Sequence, residues 1–300
     1  GDHVTKLAID GADSVVRLPF NPRDPELAVK HIAGAKLDVL ICMDHALDAY
    51  MYSLMQARMA PVQMVFWSNG GGHSATLGFK DTVDYYVTGD GTAADTMQDE
   101  FEEQVVRLGD LGMLMAPIPP VSEEEKFALV SRMSLFDARH LFLVPAPLIF
   151  LHPEFDEVIG RILSADASGE VLVLFEPKQE LWLERVRKRL RAGEFTKECY
   201  QRVRFTAQLE QRDLWALISS ADVVLDPFPV GLGTTALETL TLGIPVVTLP
   251  AKQGPRRVAA AALRRLDVSE LVAGSIDEYV NMALTLARQP VERFKVALKL

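Results

Sequence analysis

The chain is poor in three things that would have narrowed its function at once. It has only two cysteines in 300 residues, Cys42 and Cys199. They stand too far apart for a metal-ligand spacing, and they provide no disulfide framework. Such sparing use fits a reducing, cytoplasmic or other intracellular compartment. No apolar run reaches the roughly 20 residues of a membrane span. Positive charge is also short: 31 Lys and Arg face 41 Asp and Glu, a formal net charge of -10. A nucleic-acid partner needs a basic face to meet phosphate, so that class is disfavoured, and no polybasic anchor for an anionic membrane is present. One local exception is the run RVRKRLR over Arg185–Arg191. Its simplest reading is the solvated face of a helix. The opening GDHVTKLAIDGADS is not a signal peptide. It has no initiator methionine, as expected of a piece of a longer protein.

What is present is an ordinary globular composition, 49% hydrophobic and 24% charged, over a length suited to about two domains. Leu37–Met43 (LDVLICM) reads as a buried parallel strand, with Cys42 as a small core residue. Ala46–Arg58 follows with helical spacing. Val62–Trp67 is a second strand, Asn69–His73 a glycine-rich loop, and Tyr85–Thr88 a third strand. Met113–Glu125 (MLMAPIPPVSEEE) is rich in proline and then in acid, so it reads as a connector.

The second half alternates more regularly. Strands are expected at His140–Val144, Val171–Phe175, Val203–Thr206, Val223–Leu225 and Pro245–Leu249. Helices are expected at Pro153–Ala165, Glu180–Arg191, Gln211–Ser220, Thr235–Leu242, Arg256–Leu266 and Ile276–Arg288. That alternation predicts an α/β fold with doubly wound parallel sheets and ligand crevices at strand carboxyl ends. The expected division is an N-terminal lobe at 1–138 and a C-terminal lobe at 139–300.

The segment most suggestive of chemistry is Asp226–Leu249, DPFPVGLGTTALETLTLGIPVVTL. A strand ends at Asp226, and Gly231 and Gly233 bend the loop. Thr234 and Thr235 stand where a helix begins. A helix amino end carries unpaired N–H groups and partial positive charge, and glycines let an anion approach the backbone. Glu238 lies one turn along the same face, placed to accept from ribose hydroxyls. These features suit a nucleoside diphosphate. A plainer alternative is open: a threonine caps the helix and the glycines only make the turn.

This pattern resembles the C-terminal lobe of GT-B glycosyltransferases, through Gly231, Gly233, Glu238, Gly243, Pro245, Val246 and Val247. More narrowly, the chain is similar to the O-linked GlcNAc transferase family, in particular its bacterial-type, SPINDLY-like branch. Further segments carry the similarity. LDVLICMDHALDAYMYSLMQARMAPVQMVFW contributes Asp38, Asp44, Asp48, Arg58, Ala60, Pro61, Gln63 and Trp67. Val83–Asp90, LHPEFDEVIGRIL, ADVVLDPFP and RRVAAAALRRL add looser matches.

The resemblance implies two Rossmann-like lobes, the N-terminal one incomplete from Gly1 onward. The family's first strands either precede Gly1 or have been lost. It implies transfer of a sugar, usually GlcNAc, from a UDP-sugar to a protein Ser or Thr hydroxyl, with inversion and without a metal or other cofactor. Thr234 and Thr235 would cradle the diphosphate and Glu238 would hold the ribose. The partners implied are a UDP-sugar donor and a protein or peptide acceptor, with tetratricopeptide repeats elsewhere in the full chain.

Departures from the family matter. Its cationic lysine, which neutralises the departing diphosphate, is Phe150 here, and a nearby polar residue is Pro147. Its catalytic loop reads SNGGGHSATLG after Trp67, with Asn69 near the family's histidine position and His73 as a substitute. His45, in the acidic loop 43–48, is a second catalytic candidate. Both histidines read more simply as loop residues. Three functions stay open: an active protein O-glycosyltransferase, a degenerate GT-B module used for binding or scaffolding, and a GT-B enzyme of another kind, such as an epimerase or lipid glycosyltransferase.

Overall fold

The computed structural model describes residues 3–19, 21, 24–43, 49–66, 81–113, 115–135, 139–193, 195–250 and 257–300. The first half runs α1 (His3–Asp10), α2 (Glu26–Gly34), β1 (Val39–Cys42), α3 (Ala49–Leu54), β2 (Val62–Phe66), β3 (Tyr85–Gly89), β4 (Gln104–Leu108) and α4 (Glu123–Arg132). The second half runs β5 (His140–Val144), α5 (Pro153–Ala165), β6 (Gly169–Phe175), α6 (Glu180–Ala192), α7 (Lys197–Gln201), β7 (Val203–Ala207), α8 (Gln211–Ser220), β8 (Val223–Leu225), α9 (Thr234–Thr241), β9 (Val246–Val247), α10 (Val258–Arg265), α11 (Ile276–Arg288) and α12 (Pro290–Ala297).

Two parallel sheets result, as the alternation predicts. The first has the order β1-β2-β3-β4 and the second β7-β6-β5-β8-β9. In the second sheet the chain winds one way from β5 to β7, returns, and continues through β8 to β9. That reversal between β5 and β8 defines a topological switch point, where the two neighbouring loops part and leave a crevice.

The second sheet is covered on both faces. Phe142, Val144, Val171, Val173, Val223, Val224 and Val246 are all fully buried. Such strands are near-continuously apolar because helices pack on either side. α5 supplies Phe155, Val158, Ile159, Ile162 and Leu163 at helical spacing. It starts on Pro153, with His152 capping the Glu154 amide. α11 starts on a Ser275 cap and buries Tyr279, Val280, Ala283, Leu284, Leu286 and Ala287.

The first sheet differs from the sequence expectation at β1. Cys42 is buried, but Val39 is 45% and Ile41 51% exposed. Val39 and Ile41 share one face of β1, and that face is left open to solvent. β4, which the pattern did not reveal, forms an edge of this sheet and is only partly buried.

The resemblance residues of this half form a structural hub. The buried Gln63 side chain accepts from the Met59 and Ala60 amides and donates to the Ala57 and Thr82 carbonyls. Arg58 grips Asp84 through both terminal nitrogens, at 2.6 and 3.1 Å. Thus the Arg-x-Ala-Pro-x-Gln segment locks the turn into β2 to the start of β3.

The acidic end of the expected connector is helical instead. Ser122 and Glu125 close a capping box at the start of α4, so Glu123–Glu125 form its first turn. Arg212 of α8 clasps Glu125 with two 2.6 Å bonds and also donates to the Pro119 and Pro120 carbonyls. The guanidinium, ahead of the Ser122 amide, holds the Glu125 carboxyl down at about 2. The proline-rich segment and α4 are thereby fastened to the helix layer of the second sheet.

Candidate functional site

A cleft of about 250 Å³ opens at the carboxyl ends of β5 to β8. Its walls come from the segments that leave these strands: Pro145–Pro147 and Phe150, then Glu176, then Gln208, then Leu232, Thr234 and Thr235. It occupies the switch point that the sheet order defines. A larger groove of about 860 Å³ runs beside α5 and α11. It lies along helix flanks, and its charged residues Asp156, Arg161 and Arg189 are already paired. The chemistry therefore points to the smaller cleft.

The glycine loop that forms one wall is held from beneath. Asp226 follows β8 and is 4% exposed. Its Oδ1 accepts from the Leu232 amide at 2.6 Å, and its Oδ2 from the Thr248 hydroxyl at 2.6 Å. Its backbone carbonyl accepts from the Tyr279 hydroxyl at 3.1 Å. Burial pushes the Asp226 carboxyl up to about 6, against the two hydrogen bonds that favour its charged form. Next to it, Phe228 stacks edge-on with Phe155 and Tyr279, with ring centres 5.4 and 5.9 Å apart. The loop is thus nailed to α5, α11 and the end of β9.

Within the loop, Gly231 has φ 82° and Gly233 φ 58°. Side chains resist both conformations. Gly231 donates to the Pro227 carbonyl at 2.6 Å, closing the turn. Gly233 is the residue that precedes α9, and no side chain caps this helix. That removes the plainer reading of the threonines as caps: Thr234 and Thr235 are already inside the first turn. The expectation of free amides is also trimmed. The Thr235 and Ala236 amides turn back to the Leu232 and Gly233 carbonyls at 3.2 and 3.1 Å. What this end of α9 offers an anion is its dipole together with the threonine side chains that line the cleft.

Of the sequence candidates, Thr234 and Thr235 sit in the cleft, while Gly231 and Gly233 shape its wall. Glu238 lies one turn deeper and does not line the cleft. It is half-buried, and its Oε1 accepts from Gln211 Nε2 at 3.1 Å. Burial raises its pKa, opposed by the nearby Trp215 indole and by Gln211. The buried Trp215 Nε1 meets no acceptor at hydrogen-bond geometry, so of the two opposing groups Gln211 is the one with a geometric bond. His45 and His73 lie outside the described residues, as do Asp44, Asp48 and the Asn69–His73 loop.

The opposite wall is apolar. Pro145, Ala146, Pro147 and Phe150 face the threonines, and no Lys or Arg is among the described lining residues. Phe150 closes a short helical turn, Leu148–Phe150, whose Leu148 amide donates to Gln179 at 3.2 Å. Sequence reasoning passed over Glu176, Gln208 and the role of Asp226. The signal for all three was their position just after a parallel strand, where such sheets bind ligands.

Fold and cleft together define a doubly wound α/β protein with a crevice at a topological switch point. The comparisons with known proteins narrow this. Residues 203–299 match glycosyl transferase family 41. A Petunia hybrida protein named "Probable UDP-N-acetylglucosamine--peptide N-acetylglucosaminyltransferase SPINDLY" is 30% identical over 257 residues, 84% of this chain and 26% of that protein. Its Arabidopsis thaliana counterpart is 28% identical over 88% of this chain. A Caenorhabditis elegans UDP-N-acetylglucosamine–peptide N-acetylglucosaminyltransferase is 42% identical over 66 residues, 22% of this chain. Among solved structures, a mutant O-GlcNAc transferase of Thermobaculum terrenum covers the whole chain with a TM-score of 0.76 at 21% identity, the chain spanning 54% of it. An E. coli trehalose-6-phosphate structure bound with UDP-2-fluoro glucose has a TM-score of 0.57 at 12% identity, over 91% of this chain and 71% of that one. The fold is GT-B, residues 203–299 carry the family 41 match, and the chain is similar to O-linked GlcNAc transferases over most of its length. It spans about a quarter of the length of the curated relatives it matches.

Proposed function

We propose that this chain is the nucleotide-sugar-holding part of a protein O-glycosyltransferase, moving a sugar, GlcNAc by family, from a UDP-sugar to a Ser or Thr hydroxyl. The observation that carries the reading is the Gly231–Thr235 wall, pinned by Asp226 at the switch-point crevice. In this reading the UDP diphosphate lies against the amino end of α9, with Thr234 and Thr235 donating to phosphate oxygens. The ribose reaches toward Glu238. The acceptor hydroxyl attacks the anomeric carbon from the face opposite UDP. The bond from that carbon to the UDP oxygen breaks, UDP leaves with the electron pair, and the hydroxyl proton passes to a base. That sequence inverts the anomeric centre and calls for no metal. His73 and His45 are the candidate bases. The two free cysteines, both buried, suit a reducing compartment.

The test is calorimetry with UDP, followed by transfer from a labelled UDP-GlcNAc to a peptide, with and without EDTA. Saturable UDP binding and EDTA-resistant transfer support the proposal. Absence of binding at about 1 mM UDP, a level that detects even weak sites, rejects it.

One observation favours a second reading, a binding module without turnover. Phe150 stands where the family carries its lysine, and it lines the cleft. A phenyl ring cannot neutralise charge developing on UDP. Losing one such group costs roughly two to three decades in rate. UDP binding with no transfer favours this alternative.

A further inference from the structure

α6 carries an arrangement that the nucleotide cleft does not use. Its buried side, Leu183, Val186 and Leu190, packs inward. Away from that side, α6 carries Arg185, Arg187, Lys188 and Arg191 against two carboxylates, Glu180 and Glu184. The other α6 cation, Arg189, is consumed by Asp156 at 2.6 Å. Among the described residues, the remaining four close no ion pair, although the chain as a whole carries an excess of ten acids. Three of them rest on aromatic faces instead. Arg185 lies 5.7 Å from the Trp182 ring centre, Arg187 5.4 Å from Phe205, and Arg191 4.9 Å from Tyr200. A ring under a guanidinium restrains it while leaving its N–H fork free to bind, so less freedom is lost on meeting a carboxylate.

The amino end of this ridge is apolar and exposed. Leu181 is 61% and Trp182 45% exposed, and Ile149, in the neighbouring turn, is 47% exposed. That turn packs on α6 and ends in Phe150, which lines the cleft. An apolar step therefore leads from the cleft mouth onto a cationic helix, with Arg187 and Arg191 on one flank, Arg185 on the other and Lys188 between them. The helix is about 20 Å long, at roughly 1.5 Å per residue, which matches about six residues of extended peptide.

We infer that α6 is a docking ridge for an acidic polypeptide segment, with apolar side chains seated on Leu181, Trp182 and Ile149 and carboxylates on Arg185, Arg187, Lys188 and Arg191. The inference goes beyond sugar transfer and does not require it. Charge complementarity selects the partner, because clustered arginines recognise acidic motifs. A nucleic acid fits less well: its charge continues past a ridge of this length and meets the surrounding acidic surface.

The test is fluorescence anisotropy of the full chain with a labelled peptide of two leucines followed by about six alternating glutamates and glycines, a span set by the ridge. A glutamine-for-glutamate peptide and an oligo-dT of similar length serve as comparisons. The acidic peptide is expected to bind at least about tenfold more tightly than the glutamine peptide, with an affinity that falls as salt rises. Arg185→Glu/Lys188→Glu is expected to weaken it at least about tenfold, since tenfold is only about 1.4 kcal/mol. Trp182→Ala is expected to weaken it about threefold to tenfold, within the range of aromatic anchors. UDP affinity is expected to stay unchanged in both variants, which separates this inference from the reading of the cleft. If the double variant misfolds, as judged by its melting transition, Lys188→Gln alone replaces it and is expected to give about a threefold loss. Equal binding of the acidic and glutamine peptides overturns the inference. So does indifference to the α6 changes, or tighter binding of oligo-dT than of the peptide.

Discussion

The two walls of the switch-point cleft differ in how they are built. The β8–α9 wall is over-determined: Asp226 bonds Leu232 and Thr248, Tyr279 holds the Asp226 carbonyl, and Phe228 is locked against Phe155 and Tyr279. Its two glycines occupy backbone conformations that only glycine adopts cheaply. The β5–α5 wall is a short apolar turn of Pro147, Leu148, Ile149 and Phe150. The first wall has the features of a diphosphate cradle. The second provides no charge to help the diphosphate depart. On the proposed reading, binding and turnover are separable, because each would draw on a different wall.

The strongest way to break this contrast is to damage the cradle. Gly233→Val forces a branched side chain into φ 58° and ψ -129°. The backbone cost is about 1–3 kcal/mol. Calorimetry is expected to show UDP affinity reduced at least tenfold, and denaturant unfolding a comparable loss of stability. Unchanged UDP binding would detach the glycine loop from nucleotide recognition.

A substitution on the other wall sharpens the contrast. Phe150→Lys restores a cation beside the threonines. Transfer from labelled UDP-GlcNAc is expected to rise by about two decades, the scale of one preorganised charge. No rise, with the fold intact, would show that a charge at this position is not what limits turnover.

Asp226 gives a pH signature. Its carboxyl titrates near 6 in the folded chain against an ordinary value of 3.8. The folded state therefore holds a proton that the unfolded chain has released, between about pH 4 and pH 6. From this group, stability is greatest below about pH 4, falls as pH rises through that window and levels off above it, by up to about 3 kcal/mol. Asp226→Asn removes that slope. The difference between the two unfolding free energies, followed from pH 4 to 7, is expected to shift in favour of the variant. Parallel curves would contradict the assignment.

The smallest effect probes the contact behind the glycine loop. Gln211→Ala removes the amide that bonds Glu238 at 3.1 Å. A neutral hydrogen bond contributes about 1 kcal/mol. A loss of UDP affinity of about threefold to fivefold is expected by calorimetry, and no loss would place Glu238 outside ribose recognition.

Much of the second half was legible in the sequence because its signals are local. His140–Val144, Pro153–Ala165, Gln211–Ser220 and Ile276–Arg288 fall where periodicity and punctuation put them. The first half was harder to read. β4 has only Val105 and Val106 as adjacent apolar residues, too weak a run to stand out. The exposure of one β1 face depends on what packs against it, which its own residues do not encode. The acidic run at 123–125 looked like a loop because proline precedes it, whereas the Ser122–Glu125 box makes it a helix start. In the cleft, Gly231, Gly233, Thr234 and Thr235 were readable from spacing. Asp226 was not, since its partners Thr248 and Tyr279 lie 22 and 53 positions away. The apolar nature of Phe150 counted only once it was set against a family pattern.

The most direct measurement is a calorimetric titration of the full chain with UDP, beside Thr234→Val/Thr235→Val. These near-isosteric changes keep the shape of the cradle and delete its hydroxyls. Saturable binding by the natural chain, weakened at least tenfold in the double variant, is the expected result, since two lost hydrogen bonds to a charged group cost about 3 kcal/mol or more. Equal binding by both proteins, or no heat from either at about 1 mM UDP, would contradict the claim that α9 and its threonines hold the diphosphate.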